Sequence, residues 1–128
     1  MHVQGVVEYR DGQSWLGGTD LPHLPPDACP PVFGVPEEST GSADPTAADR
    51  GVPDGSDLLD RRYFKDAASV YGDTGPWRHA FGESWVRADE LPAAVREDDR
   101  WADVLATVAE YEREYGAANV RLVVWFEN

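Results

Sequence analysis

The chain has 128 residues, 41% of them hydrophobic and 11% aromatic, with five tryptophans. That is one domain's worth of material with enough apolar side chains for a single core, and it excludes a wholly disordered chain. Asp and Glu total 24 against 11 Lys and Arg, a net charge of -13, which argues against the broad basic face that nucleic-acid phosphates require.

Lys65 is the only lysine. The acidity fits either simple solubility or attraction of a basic protein partner, because net charge governs solubility and association rather than fold. Cys29 is the only cysteine, so no internal disulfide forms. The opening M-H-V-Q-G-V-V-E-Y lacks a basic stretch followed by an apolar one, and no apolar run approaches the roughly 20 residues of a membrane span. The expectation is a soluble, cytoplasmic protein without membrane association.

In chain order, Val3 to Tyr9 alternates as a strand, with Val3, Gly5, Val7 and Tyr9 on one face and Gln4, Val6 and Glu8 on the other. Asp11-Gly12 is the preferred pair for a two-residue hairpin turn, Ser14 to Leu16 reads as the returning strand, and Gly17 and Gly18 end it. From Thr19 to Ser56 periodicity stops, and eight of the ten prolines lie there. Leu21 to Val35 keeps apolar residues and reads as an extended, polyproline-like strap. Residues 37–55 are small, polar and acidic, so this part of the insert is expected to be mobile, and deletion of Thr40 to Arg50 to be tolerated.

Ser56 or Asp57 caps an expected short helix that ends near Gly72. An aromatic loop at Trp77 to Gly82 and an extended piece at Glu83 to Arg87 follow, and Asp89 to Pro92 can open one helical turn through Val95. The main helix runs from Arg100 to Tyr115 with Asp98 or Asp99 as cap and Gly116 as stop; Trp101, Val104, Leu105 and Val108 form its apolar stripe. Val120 to Phe126 is apolar on both faces, as an interior strand would be.

No spacing typical of a metal site joins His23, Cys29 and His79, and three or four converging ligands are needed for zinc. Gly82-Glu83-Ser84-Trp85 lacks the second glycine of a nucleophile elbow, and no glycine-rich phosphate loop is present. No catalytic residue, cofactor or metal is assigned. Arginines and aromatics concentrate at Asp60, Arg61, Arg62 and Tyr63, at Trp77, Arg78 and His79, and at Ser84 and Trp85. Such a cluster suits an anion, a nucleotide base or a carboxylate-bearing peptide. The plainer reading is that the arginines tie a helix to its loops and the tryptophans are core. A separate candidate face for a basic partner is Asp103, Glu110 and Glu114 on the main helix, with Glu97, Asp98 and, on the insert, Glu37, Glu38 and Asp44 as further acids to test.

D-R-R-Y-F at 60–64, E-S-W-V-R-A-D-E-L at 83–91 and V-R-L-V-V-W-F-E-N at 120–128, with V-E-Y-R-D-G-x-S-W near the start, resemble an uncharacterised family of short proteins of phages, prophages and bacterial genomes. The chain departs from that pattern in the K-D-A-A-S-V-Y after D-R-R-Y-F and in its Pro-rich insert. The resemblance implies an α+β fold and a mobile-element setting, and it supplies no activity.

The combined expectation is one α+β domain over 1–128, with the 19–56 insert. Its small antiparallel sheet comes from 3–9, 14–17, 119–127 and 83–87, with the long helix on one face. The leading functional reading is a non-enzymatic acidic binding protein that engages a host or partner protein, a basic one being the candidate, with inhibition as one form this could take. A small enzyme or nucleotide-binding module built on Arg61, Tyr63, His79, Ser84 and Trp85, and a structural phage component, are the alternatives.

Overall fold

The segments read as strands pair into one four-stranded antiparallel sheet: β1 (His2–Asp11), β2 (Ser14–Asp20), β3 (Ala80–Arg87) and β4 (Val120–Glu127), in the order β2-β1-β4-β3. The computed structural model describes residues 2–34, 45–48, 50–51, 53–56 and 80–127. The helix expected over 57–71 lies outside the described residues. With one long helix against the sheet, the fold is α+β.

β4 is flanked on both sides, by β1 along its length and by β3 with one irregularity between Phe81 and Ser84, and Val120 to Phe126 are all buried. The alternation of the strand divides these side chains. Val120, Leu122, Val124 and Phe126 join Val7 in the main core. Arg121, Val123 and Trp125 take the other face, opposite Glu8, Val6 and Gln4 of β1. That second face is also buried: Val6, Val123, Glu8 and Arg121 are at most 4% exposed. A helix covering one face was the expectation; the sheet is an interior layer on both. Gly5 is required where it stands, because a Cβ there would meet the Val123 carbonyl oxygen at 2.5 Å.

The long helix follows the expected phase. Asp98 accepts a hydrogen bond from the Arg100 amide, a 3-10 turn covers Asp99–Trp101, and the α-helix proper runs over Ala102–Tyr115 to Gly116, whose φ of 89° ends it. Trp101, Val104 and Val108 are fully buried in the core and Leu105 packs at its margin.

Three local readings are corrected. The hairpin turn is Gly12-Gln13, one residue later than Asp11-Gly12, with Asp11 opposite Ser14 and φ of 69° at Gly12. Pairing with β2, Arg10 opposite Trp15 and Asp11 opposite Ser14, carries β1 out to Asp11, two residues past its last pair with β4 at Tyr9, so the glycine moves to the first turn position. Second, Gly17 and Gly18 do not end β2, which continues to Asp20 with an irregularity opposite Val7/Glu8. Gly18 lies against the Tyr111 hydroxyl, where a Cβ would clash. Third, the strap is not extended throughout. It holds a 3-10 turn at Pro26–Ala28 and a short helix at Pro30–Phe33, here α1, with prolines in the first turn where their missing N–H costs nothing. The later short helix Ala93–Arg96 is α2 and Ala102–Tyr115 is α3.

The strap belongs to the core through Leu24, Ala28, Cys29, Val32 and Phe33. Trp101 fastens it: the indole Nε1 donates to the Ala28 carbonyl at 2.9 Å, and the Phe33 ring lies 6.4 Å away, nearly parallel. Within the 37–55 stretch, the described residues make contacts that composition did not suggest. Ala47 is buried and its amide donates to Val32 O at 2.7 Å, and the Gly51 amide donates to Glu83 O at 2.8 Å. An excision reaching Arg50 would therefore remove a core residue together with loop.

Candidate functional site

Asp103, Glu110 and Glu114 fall at i, i+7 and i+11 on α3, within about 40° of one another around the axis and over about 16 Å along it. All three are exposed. The ion pairs of the described residues join Arg50, Arg87, Arg100 and Arg121 to other carboxylates, and none engages this stripe. Arg113 is set about 80° round the helix from Asp103. Beside the stripe, Tyr111 and Tyr115 stack on Tyr9 of β1 with centroids 5.4 and 4.5 Å apart. Burial, and then the Glu114 charge, raises the Tyr115 hydroxyl pKa. Among the further acids, Glu97 is exposed. Asp98 is committed to the helix cap and to Arg100, which holds its pKa down. Glu37, Glu38 and Asp44 lie outside the described residues.

Of the arginine–aromatic cluster, Asp60, Arg61, Arg62, Tyr63, Trp77, Arg78 and His79 lie outside the described residues. Ser84 and Trp85 are brought together with Arg50 in a structural clamp. The Arg50 guanidinium forks onto both Glu90 oxygens at 2.9 and 3.0 Å. It also donates to the Trp85 and Thr46 carbonyls at 3.3 and 3.0 Å, and sits 4.8 Å over the Trp85 ring. The fully buried Ser84 hydroxyl accepts from the Arg50 amide at 3.1 Å and donates to the Ala47 carbonyl. In this arrangement Ser84 holds the insert against β3.

The Arg50 hydrogen bond is the main reason the Glu90 pKa lies below its ordinary 4.5. A depressed carboxylate contributes stability that is present above its unfolded-state value and is lost as pH falls through the folded one. Glu90→Gln is therefore expected to lower stability at neutral pH and to flatten its decline below about pH 4.5. Urea midpoints measured from neutral pH down to about pH 3 for both proteins test this; parallel curves would show that the clamp is electrostatically silent.

A second polar cluster occupies the sheet face opposite α3, and sequence reading missed it. Arg121 and Glu8 stand directly across β4 and β1, and Arg121 Nε donates to Glu8 Oε1 at 2.8 Å with the side chains 4% and 0% exposed. The other Glu8 oxygen accepts from the buried Ser56 hydroxyl at 2.8 Å. The Arg121 guanidinium lies 3.9 Å over the Trp15 ring, and Arg10 lies 5.1 Å over the same ring. Arg10 forks onto the Asn119 side-chain oxygen at 3.0 and 2.9 Å. Arg121 Nη2 is buried without a hydrogen-bond partner among the described residues. Burial lowers the Arg121 pKa, Glu8 opposes that, and Arg10 adds to it. The sequence signal was available in part: Glu8 and Arg121 are opposite charges, each flanked by apolar residues, in the first and last strands.

The comparisons do not extend this geometry. No protein-family model, curated protein or solved structure matches the chain. The phage-type resemblance therefore rests on its short motifs alone.

Among the described residues the thiol and imidazole groups form no centre. Burial, reinforced by Asp27 and opposed by Arg100, pushes the Cys29 thiol up to about 12, so it is not a ready nucleophile. His23 is exposed. Among the described residues no group of three or more His, Cys, Asp or Glu is placed to hold a metal ion, and no helix is long and apolar enough to cross a membrane.

Proposed function

We propose that the chain is a non-enzymatic binding protein that engages a basic protein partner through the acidic stripe of α3, as a small inhibitor carried by a mobile element would. The observation that supports this reading is the alignment of Asp103, Glu110 and Glu114 on one exposed face of a well-anchored helix, with no arginine among the described residues paired to them. A rigid face loses less entropy on association than a flexible loop. The overall charge of -13 adds long-range attraction for a cationic surface. The helix is held by Trp101, Val104 and Val108 from beneath, so its charges can change without touching the core.

The triple change Asp103→Asn, Glu110→Gln and Glu114→Gln should leave the melting temperature essentially unaltered, because exposed charges contribute little to stability. Capture from a native host lysate, identification by mass spectrometry and stopped-flow kinetics with the purified partner provide the measurement. Association is expected to slow at least about tenfold as salt shortens the Debye length well below 8 Å, and to slow again in the triple variant. A partner whose rates ignore both salt and the triple change would remove this reading.

A further inference from the structure

We propose that Arg121, with Arg10 and Trp15 beside it, forms a recessed site for a small oxyanion, a carboxylate or phosphate group, on the sheet face opposite α3. The inference starts from an incomplete ion pair. A guanidinium offers a planar fork of donors, and a carboxylate commonly takes two of them in parallel. Of the Arg121 donors Glu8 takes Nε, through Oε1, while Oε2 receives the Ser56 hydroxyl. Arg121 Nη2 is left buried and without a partner among the described residues.

Arg50 makes the contrast within the same protein. It too lies over a tryptophan ring, yet its two terminal nitrogens are satisfied by both Glu90 oxygens and by two carbonyls. The Arg121 arrangement is therefore not a general consequence of stacking arginine on tryptophan here.

Charge points the same way. Arg10 and Arg121 share the Trp15 ring, and the ion pairs of the described residues give these two guanidiniums one carboxylate, Glu8. The hydrogen bonds of Arg10 go to the neutral Asn119 side chain. Among the described residues, in a chain of net charge -13, this is a local excess of positive charge on a buried sheet face. Trp15 and Arg10 are half-buried at the hairpin end, and the oxyanion would enter past their rim to reach Nη2. Its oxygens would accept from Nη2 and face Arg10. This goes beyond a partner docked on α3, which lies on the other side of the sheet.

The test uses the full chain with sodium phosphate and sodium acetate as probes, against sodium chloride at constant ionic strength. Constant ionic strength matters because any salt relieves self-repulsion in so acidic a protein. Phosphate or acetate is expected to raise the melting temperature saturably, as a ligand of the native state does, and chloride is not. The Arg121 Nε–H NMR resonance should move with the same midpoint. Arg10→Gln should weaken the response about tenfold, the range of one charge-assisted contact. Arg121→Lys keeps the charge but lacks Nη2 and should abolish it; should that variant fail to fold, the Arg121 resonance in the natural chain still decides. A phosphate-only response assigns a phosphate group, and an acetate response of equal or greater size assigns a carboxylate. Absence of a saturable response, or a saturable response during which the Arg121 Nε–H resonance stays still, overturns the site.

Discussion

Replacing Arg121 by methionine is expected to destabilise the protein by about 3–5 kcal/mol, because it leaves the Glu8 carboxylate buried without its guanidinium. Glu8 is fully buried, and its 2.8 Å contact with Arg121 joins the two innermost strands, β1 and β4. The cost arises from desolvation of the remaining charge, not from the worth of the pair. The double replacement Glu8→Leu with Arg121→Met should therefore recover much of the loss, although the Ser56 hydroxyl then loses its Glu8 acceptor. Urea unfolding of the two variants at low and high salt is the measurement. A buried pair is screened little, so the difference should hardly change with salt. A loss under about 1 kcal/mol for Arg121→Met would mean that water reaches the pair and that it behaves as a surface ion pair does.

Trp101→Ala should cost a similar amount, about 3–5 kcal/mol, through the cavity it opens in the core. Trp101 is 0% exposed and lies where α3, the Pro-rich strap and the sheet meet. Its loss also removes the donor to the Ala28 carbonyl and the ring beside Phe33. The strap should therefore loosen before the sheet does, and Cys29 provides the readout. In the intact protein that thiol is buried with its pKa pushed up to about 12, so a thiol reagent should react with it only through opening of the structure. In Trp101→Ala the thiol should react under native conditions at a rate faster than global unfolding allows. Trp101→Phe, which keeps most of the ring volume, should lie between the two. Equal thiol reactivity in all three proteins would show that the strap is held by other contacts.

These two residues differ in how far sequence alone exposed them. Trp101 belongs to a stripe with Val104 and Val108, and a 3.6-residue period places it on the core side without any knowledge of its partners. Asn119 to Phe126 is legible for the same reason, since an apolar run on both faces has few places to go but the middle of a sheet. The acids Asp103, Glu110 and Glu114 are readable as exposed because they occupy the opposite side of that helix. Glu8 and Arg121 are different. Each looks like an ordinary solvent-facing strand residue, and only pairing between positions 113 apart in the chain buries them together.

Local periodicity by itself determined the elements: the first and last strands, the long helix with its core stripe, the hairpin near Gly12 and hence the α+β class. The tertiary structure decided what no period encodes. The register of β1 against β2, with Asp11 opposite Ser14, set the turn at Gly12-Gln13. Trp101 and the core drew the proline-rich strap into a 3-10 turn and a short helix, because Leu24, Ala28, Val32 and Phe33 gain burial that way while the prolines lose no hydrogen bond at a helix start. Arg50 found Glu90 across 40 positions, and Arg121 found Glu8 but not a partner for Nη2 among the described residues. Such contacts depend on which distant segments share a surface, and that follows from packing the apolar faces first and satisfying the buried charges afterwards.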